Sequence, residues 1–117
     1  MANLAIIDLV QGGALHTTAA AAGGGDTITP TAGDFRNFAL FVNNGGGAPI
    51  TVTIDDPNSV TPVAATTFNP DPAISVTNAT AKLILIDTKR CLNGATGLIN
   101  ITYSAVTTVT VAVYRLP

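Results

Sequence analysis

The chain has no glutamate and no tryptophan, one cysteine, one histidine and one methionine, and only 10% of its 117 residues are charged. Each shortage excludes something. Glutamate and lysine populate the exposed faces of helices, so their scarcity argues against any substantial helix. A lone Cys91 cannot form an internal disulfide, and secreted domains of this size usually pair their cysteines, so folding in a reducing cytoplasm is expected. The five cations Arg36, Lys82, Lys89, Arg90 and Arg115 are dispersed. Without a basic stripe, nucleic-acid binding by phosphate neutralisation is not expected. No apolar run approaches the ~18 residues of a membrane-spanning helix. Met1-Ala2-Asn3-Leu4 lacks the basic and apolar regions of a signal peptide, so neither a secretory leader nor a membrane partner is expected.

The charge deficit also bears on the surface, since about 25% charged residues is usual. A chain with so few either covers itself with Thr, Ser, Asn and Gly or hides surface against partners, and low net charge favours association. All 7 acids are aspartates. Most stand in turn-like contexts (Asp26, Asp34, Asp55, Asp56, Asp71), where a short carboxylate bonds nearby backbone amides.

What is present is period-two alternation of apolar residues with Thr or Asn, bounded by Gly, Pro, Asn and Asp. It is clearest in Ile50-Thr51-Val52-Thr53-Ile54, Leu98-Ile99-Asn100-Ile101-Thr102-Tyr103 and Thr108-Val109-Thr110-Val111-Ala112-Val113-Tyr114. This is the signature of half-buried strands. Further strands are predicted at Thr27–Thr29, stopped by Pro30; at Phe35–Val42, with Phe38, Leu40 and Val42 on one face and Ala39 and Phe41 on the other; at Val60–Phe68, irregular at Pro62; and at Ala73–Val76. Lys82–Ile86 is continuously apolar after its lysine and reads as a central strand. Asn43–Ala48 reads as a hairpin-type turn, because Asn-Gly steps take positive φ readily. Ser104-Ala105-Val106 reads as a tight connection between the last two strands. Asn69-Pro70-Asp71-Pro72 reads as a stiff link.

The expected fold is therefore all-β: a small antiparallel β-sandwich or barrel of about seven or eight short strands with an N-terminal extended arm. One domain of this length buries roughly 65% of its unfolded surface without metal or disulfide help. Residues 1–25 read as the arm and a flexible Ala/Gly connector, and residues 26–117 as the body. The arm's Leu4, Ile6, Ile7, Leu9 and Val10 could pair with the sheet edge of a neighbouring molecule or form a first strand of the same sheet. On the first alternative, removing residues 1–13 would weaken partner binding and leave the body folded.

Candidate chemistry is sparse. His16 has no Cys or carboxylate at ligand spacing and reads as an exposed loop residue. Lys89 and Arg90 could lower the Cys91 pKa, but no second partner completes a nucleophilic pair. Asp55, Asp56 and Asn58 offer oxygens for Ca²⁺, yet Pro57 interrupts them and a turn is the simpler reading. Gly23–Gly25 and Gly45–Gly47 do not follow the phosphate-loop pattern. The sequons at Asn78 and Asn100 read as strand or loop residues. Only Tyr103 and Tyr114 could stack a sugar. Neither catalytic residue, metal nor cofactor is expected.

Phe38–Ile54 (FALFVNNGGGAPITVTI) resembles a pattern of small virion proteins of tailed bacteriophages, in which an aromatic strand leads through an Asn-Gly-Gly turn into a Pro-Ile-Thr-Val-Thr strand. The AGGGD ending at Asp26 and the closing Ile101–Val113 (ITYSAVTTVTVAV) are similar too, whereas residues 55–86 carry no likeness. The resemblance implies a head decoration (cement) or minor capsid protein, made in the host cytoplasm and bound outside the virion capsid. Its partners would be the major capsid protein lattice and copies of itself, as a homo-oligomer with a trimer favoured. Asn43, Asn44 and Gly45 are then candidate contacts at a turn tip, beside the arm residues. A tail-tube, head–tail connector or fibre-base subunit is the alternative within virions, and a glycan-binding or adhesion module is the alternative outside that class.

Overall fold

The computed structural model describes residues 2–13, 15–34, 36–57, 60–63, 66–68 and 71–116. Phe35, Asn58, Asn69 and Pro70, which enter the sequence reading, lie outside the described residues. The protein is an all-β sandwich whose two sheets are mainly antiparallel. The strands are β1 (Ala2–Asn3), β2 (Ile6–Asp8), β3 (Ala19–Ala20), β4 (Asp26–Ile28), β5 (Phe38–Asn44), β6 (Ile50–Ile54), β7 (Val60–Val63), β8 (Thr66–Phe68), β9 (Ala73–Val76), β10 (Thr80–Ile86), β11 (Ile99–Tyr103) and β12 (Val109–Arg115), with one helical turn, α1 (Thr88–Cys91). The first sheet has the order β1-β4-β11-β6-β9. The second runs β10-β5-β12-β2, and β3 also pairs with β12. β7 and β8 form a separate two-stranded sheet with a register irregularity between Val60 and Val63, where one interrupted strand was expected. Pro62 has no N–H to give to a ladder.

Alternation decides the faces. In the second sheet, Phe38, Leu40, Val42, Ile84, Ile86, Val109, Val111 and Val113 point inward and are buried. They meet Ile28, Ile50, Val52, Ile54, Val76, Ile99 and Ile101 of the first sheet in one hydrophobic core. These β-branched and aromatic side chains fit a pleated surface, and their burial is the main driving force for the fold.

Three expectations are corrected. First, Asn43–Ala48 is not a hairpin: β5 lies in the second sheet and β6 in the first, so the segment is an arch across the sandwich. Both edges of β5 are already taken by β10 and β12, leaving no place beside it for β6. None of Gly45–Gly47 adopts the positive φ of a tight hairpin turn; the positive-φ glycines are Gly13, Gly25, Gly33 and Gly97. Second, Ser104–Val106 is likewise part of an arch, from β11 in one sheet to β12 in the other. Third, β10 is an edge strand, not a central one. Its Leu83 and Leu85 are 66% and 65% exposed.

The N-terminal segment takes the second of its two expected places. β1 runs parallel to β4 at the edge of the first sheet, and β2 runs parallel to β12 at the edge of the second. Between them Leu4 donates its N–H to the Thr27 carbonyl (2.8 Å) and buries its side chain in the core. The segment thus closes one open side of the sandwich. Farther on, Ala19–Ala20 of the Ala/Gly connector pairs antiparallel with β12, covering the rest of that edge.

β2 is also tied electrostatically. Arg115 Nε lies 2.5 Å from Asp8 Oδ1, and its Nη1 lies 3.3 Å from Asp34 Oδ2, which Arg36 grips at 2.8 Å. The side-chain hydrogen bond from Arg36, with a second from its backbone N–H, pulls the Asp34 carboxyl down to about 2, and Arg115 lowers Asp8. A carboxylate whose pKa is depressed on folding contributes stability that is complete above its unfolded value near 4 and is lost as pH falls through the folded value. Melting temperature should therefore fall between about pH 4 and pH 2, and Asp34→Asn should flatten that slope. An unchanged slope in the variant would remove this cluster from the acid response.

Candidate interaction surface

The outward faces of the two sheets differ in chemistry. On the first sheet the outward rows are Asn3-Thr27-Asn100, Thr102-Thr53-Ala73 and Thr51-Ser75. Apart from Thr27, which is buried with its hydroxyl on Asn3 Oδ1 (3.3 Å), these hydroxyls and amides suit water. On the second sheet, register aligns Leu83-Phe41-Ala112 in one row and Leu85-Ala39-Tyr114-Ile7 in the next. A third row, Ala81-Asn43-Thr110-Ala20, borders them. The two central rows carry no charge and no hydroxyl except that of Tyr114.

A shallow depression on this face is lined by Leu9, His16, Ala39, Phe41, Leu83, Tyr114 and Leu116. His16 bridges two of its rings: edge-on to Phe41 with centroids 4.9 Å apart, and stacked on Tyr114 at 5.7 Å with 16° between the planes. Both spacings lie in the favourable range for aromatic pairs. The histidine read as an isolated loop residue therefore lies on the aromatic part of the apolar face. No periodicity could have announced this, because His16 is outside any strand. Exposed Leu9, Val10 and Leu15 flank the same region in the chain. A contiguous exposed apolar patch of this kind is the type of surface that marks interaction sites.

The other singled-out residues separate. Leu4 is core, Ile6 packs against the core, and Ile7 is half-buried in the outer row beside Tyr114, while Leu9 and Val10 are exposed. Asn43 is exposed, but Asn44 is fully buried and acts as the arch's clasp. Its Nδ2 donates to the carbonyls of Ala48 (2.9 Å) and Val76 (3.1 Å), and its Oδ1 accepts from Gly46 N–H (3.1 Å). Gly45 donates to the Thr108 carbonyl at 3.0 Å, bringing the two arches together. The turn is thus organised from within.

The residues weighed for chemistry do not assemble. Cys91 is buried on α1; burial, and then the Asp56 carboxylate, push its thiol up to about 11 against the opposing pull of Arg90. That is opposite to the lowering expected from its basic neighbours, because desolvation outweighs them. Asp56 is buried with its Oδ2 2.5 Å from Arg90 Nε, and its N–H donates to Asp71 Oδ1 at 2.7 Å. Burial, and then Asp71 and Asp56, raise Asp55. Among the described residues no group of three or more His, Cys, Asp or Glu side chains could hold a metal ion. Tyr103 donates its hydroxyl to the buried Asp26 carboxylate (2.8 Å). Burial, and then that carboxylate, hold the phenol well above the usual tyrosine range. Only Tyr114 of the two tyrosines lies on an outward face, and it is stacked on His16. Among the described residues no helix is long and apolar enough to cross a membrane. Comparison with protein-family models, with curated proteins and with solved structures finds no match for this chain.

Proposed function

We propose that the protein is a structural virion subunit, a decoration protein that binds the outside of a tailed-phage capsid through the outer face of the β10-β5-β12-β2 sheet. The observation that carries this reading is the contrast between the two sandwich faces, one of Thr, Ser and Asn and the other of Leu, Phe, Ala, Ile and Tyr. A protein that needed only water around it would have no use for the second. The likeness of Phe38–Ile54 and Ile101–Val113 to small head proteins supplies the class, and the low charge fits lasting packing against other subunits.

The first test is location. Cryo-electron microscopy of purified virions should find the protein on the shell in copy number near that of the major capsid protein; a single ring at a vertex or along the tail would favour the tail or connector reading instead. The second test is the face. Ala39→Asp sets a charge between Leu85 and Tyr114, and should weaken binding to undecorated capsids at least tenfold at unchanged melting temperature. Undiminished binding would move the contact elsewhere.

A further inference from the structure

β10 contradicts its own sequence. Residues 82–86 read as a central strand, yet in a single molecule β10 has a neighbour, β5, on one side only. Among the described residues no strand pairs with its other side. Natural edge strands are protected by shortness, proline, bulges or inward-pointing charge. β10 is seven residues long, unbroken in register against β5, and free of proline and acid. Its one protection of this kind is Lys82, which stands opposite Val42 on the inward side and binds the Ser75 carbonyl (2.9 Å) within the same molecule.

Gly45 donates to Thr108 and Leu116 to Asn37, so the odd-numbered residues of β5 bond β12. Antiparallel strands alternate the side to which successive residues turn their N–H and C=O, so the even-numbered residues of β5 bond β10. By register these are Asn44 with Thr80, Val42 with Lys82, Leu40 with Ile84 and Phe38 with Ile86. Ala81, Leu83 and Leu85 therefore turn both backbone groups to the open edge.

We propose that the partner for this edge is β10 of a second copy, paired antiparallel about a two-fold axis at Leu83. Leu83 is the midpoint of Thr80–Ile86, so this register pairs the whole strand. Ala81 meets Leu85, Leu83 meets Leu83 and Leu85 meets Ala81, forming about six backbone hydrogen bonds. Sliding one step one way opposes Lys82 to Lys82; one step the other way opposes Ala81 to Asp87 and shortens the overlap. The axis at Leu83 also runs one apolar row into its own symmetry copy, Ala112-Phe41-Leu83 meeting Leu83-Phe41-Ala112, while the Leu85 row continues into the copy's Ala81 row. β10 becomes the central strand that its composition describes. The interface is isologous and closes with two copies, unlike the trimer that the phage resemblance implies. It is independent of the capsid reading, because it is measured on the purified protein.

The test uses the full chain in solution. Wild type should sediment as a dimer at tens of micromolar, confirmed by light scattering. Leu83→Pro deletes an N–H that β5 does not use, so the fold should persist by circular dichroism while the dimer dissociation constant rises more than 100-fold. Leu83→Cys should form a covalent dimer on mild oxidation, since an opposed hydrogen-bonded pair has Cα atoms about 5.5 Å apart, within disulfide reach. Leu85→Cys alone should not cross-link, but should do so when mixed with Ala81→Cys. A wild type that is monomeric or trimeric, a dimer unaffected by Leu83→Pro, or failure of Leu83→Cys to cross-link would each overturn the pairing.

Discussion

Removing residues 1–10 is expected to destabilise the sandwich by about 5 kcal/mol or more, an amount comparable to the whole stability of a typical domain. Truncation deletes β1 and β2 from the edges of both sheets, along with the parallel ladder to Val113–Arg115. It also empties the place of Leu4 in the core; truncating a buried leucine even to alanine costs about 2–5 kcal/mol. Asp8 is lost as a partner of Arg115. Backbone groups of β12 are left without the segment that satisfies them, among them the Arg115 carbonyl that accepts from Leu9 (3.0 Å). The expected result is a protein that expresses poorly or unfolds at low denaturant, read by urea denaturation with circular dichroism. A truncated protein with wild-type midpoint would restore the segment to the status of a detachable arm. Leu4→Ala is the milder companion and should retain the fold with a lowered midpoint.

Gly25→Ala is expected to cost about 3 kcal/mol or more, through two separate effects at one backbone position. Gly25 has φ +95°, a conformation L side chains rarely adopt, and its built Cβ would stand 2.5 Å from the Ile101 carbonyl oxygen. That oxygen belongs to β11 in the middle of the first sheet, so it cannot yield without moving the strand. Gly25 also precedes buried Asp26, whose Oδ2 takes hydrogen bonds from Tyr103 (2.8 Å) and the Ala22 N–H (3.3 Å). A melting temperature lower by roughly 10–15 °C is the expected reading for a domain of this size. A loss within 2 °C would mean that the Ala22–Gly25 turn can reorganise freely.

Most of the strands were legible in the sequence. Ile50–Ile54, Ile99–Tyr103 and Val109–Arg115 follow their alternation closely, because side-chain direction in a strand is a local property with period two. Turn chemistry was legible only in part. Asn43–Ala48 was recognisable as a break, but whether such a break makes a hairpin or an arch depends on whether its first strand has a free edge. The Ala/Gly segment and His16 were the least legible. Small residues carry no apolar period, and the place of His16 over Phe41 and Tyr114 depends on where a non-strand segment is laid across a sheet.

Alternation in this chain determines by itself that the fold is all-β and which residues of each strand share a face, and composition determines that charge is too scarce to cover the whole surface. Only the tertiary structure decides which strands are neighbours, since hydrogen-bond pairing joins residues far apart in the chain and has no local signature. It places Leu4 in the core as the link between two sheets, divides a threonine face from an apolar one, and leaves β10 at an edge. The last difference has a physical cause. A continuous apolar run records that both faces of the strand are to be shielded from water, without specifying that the shield comes from the same molecule.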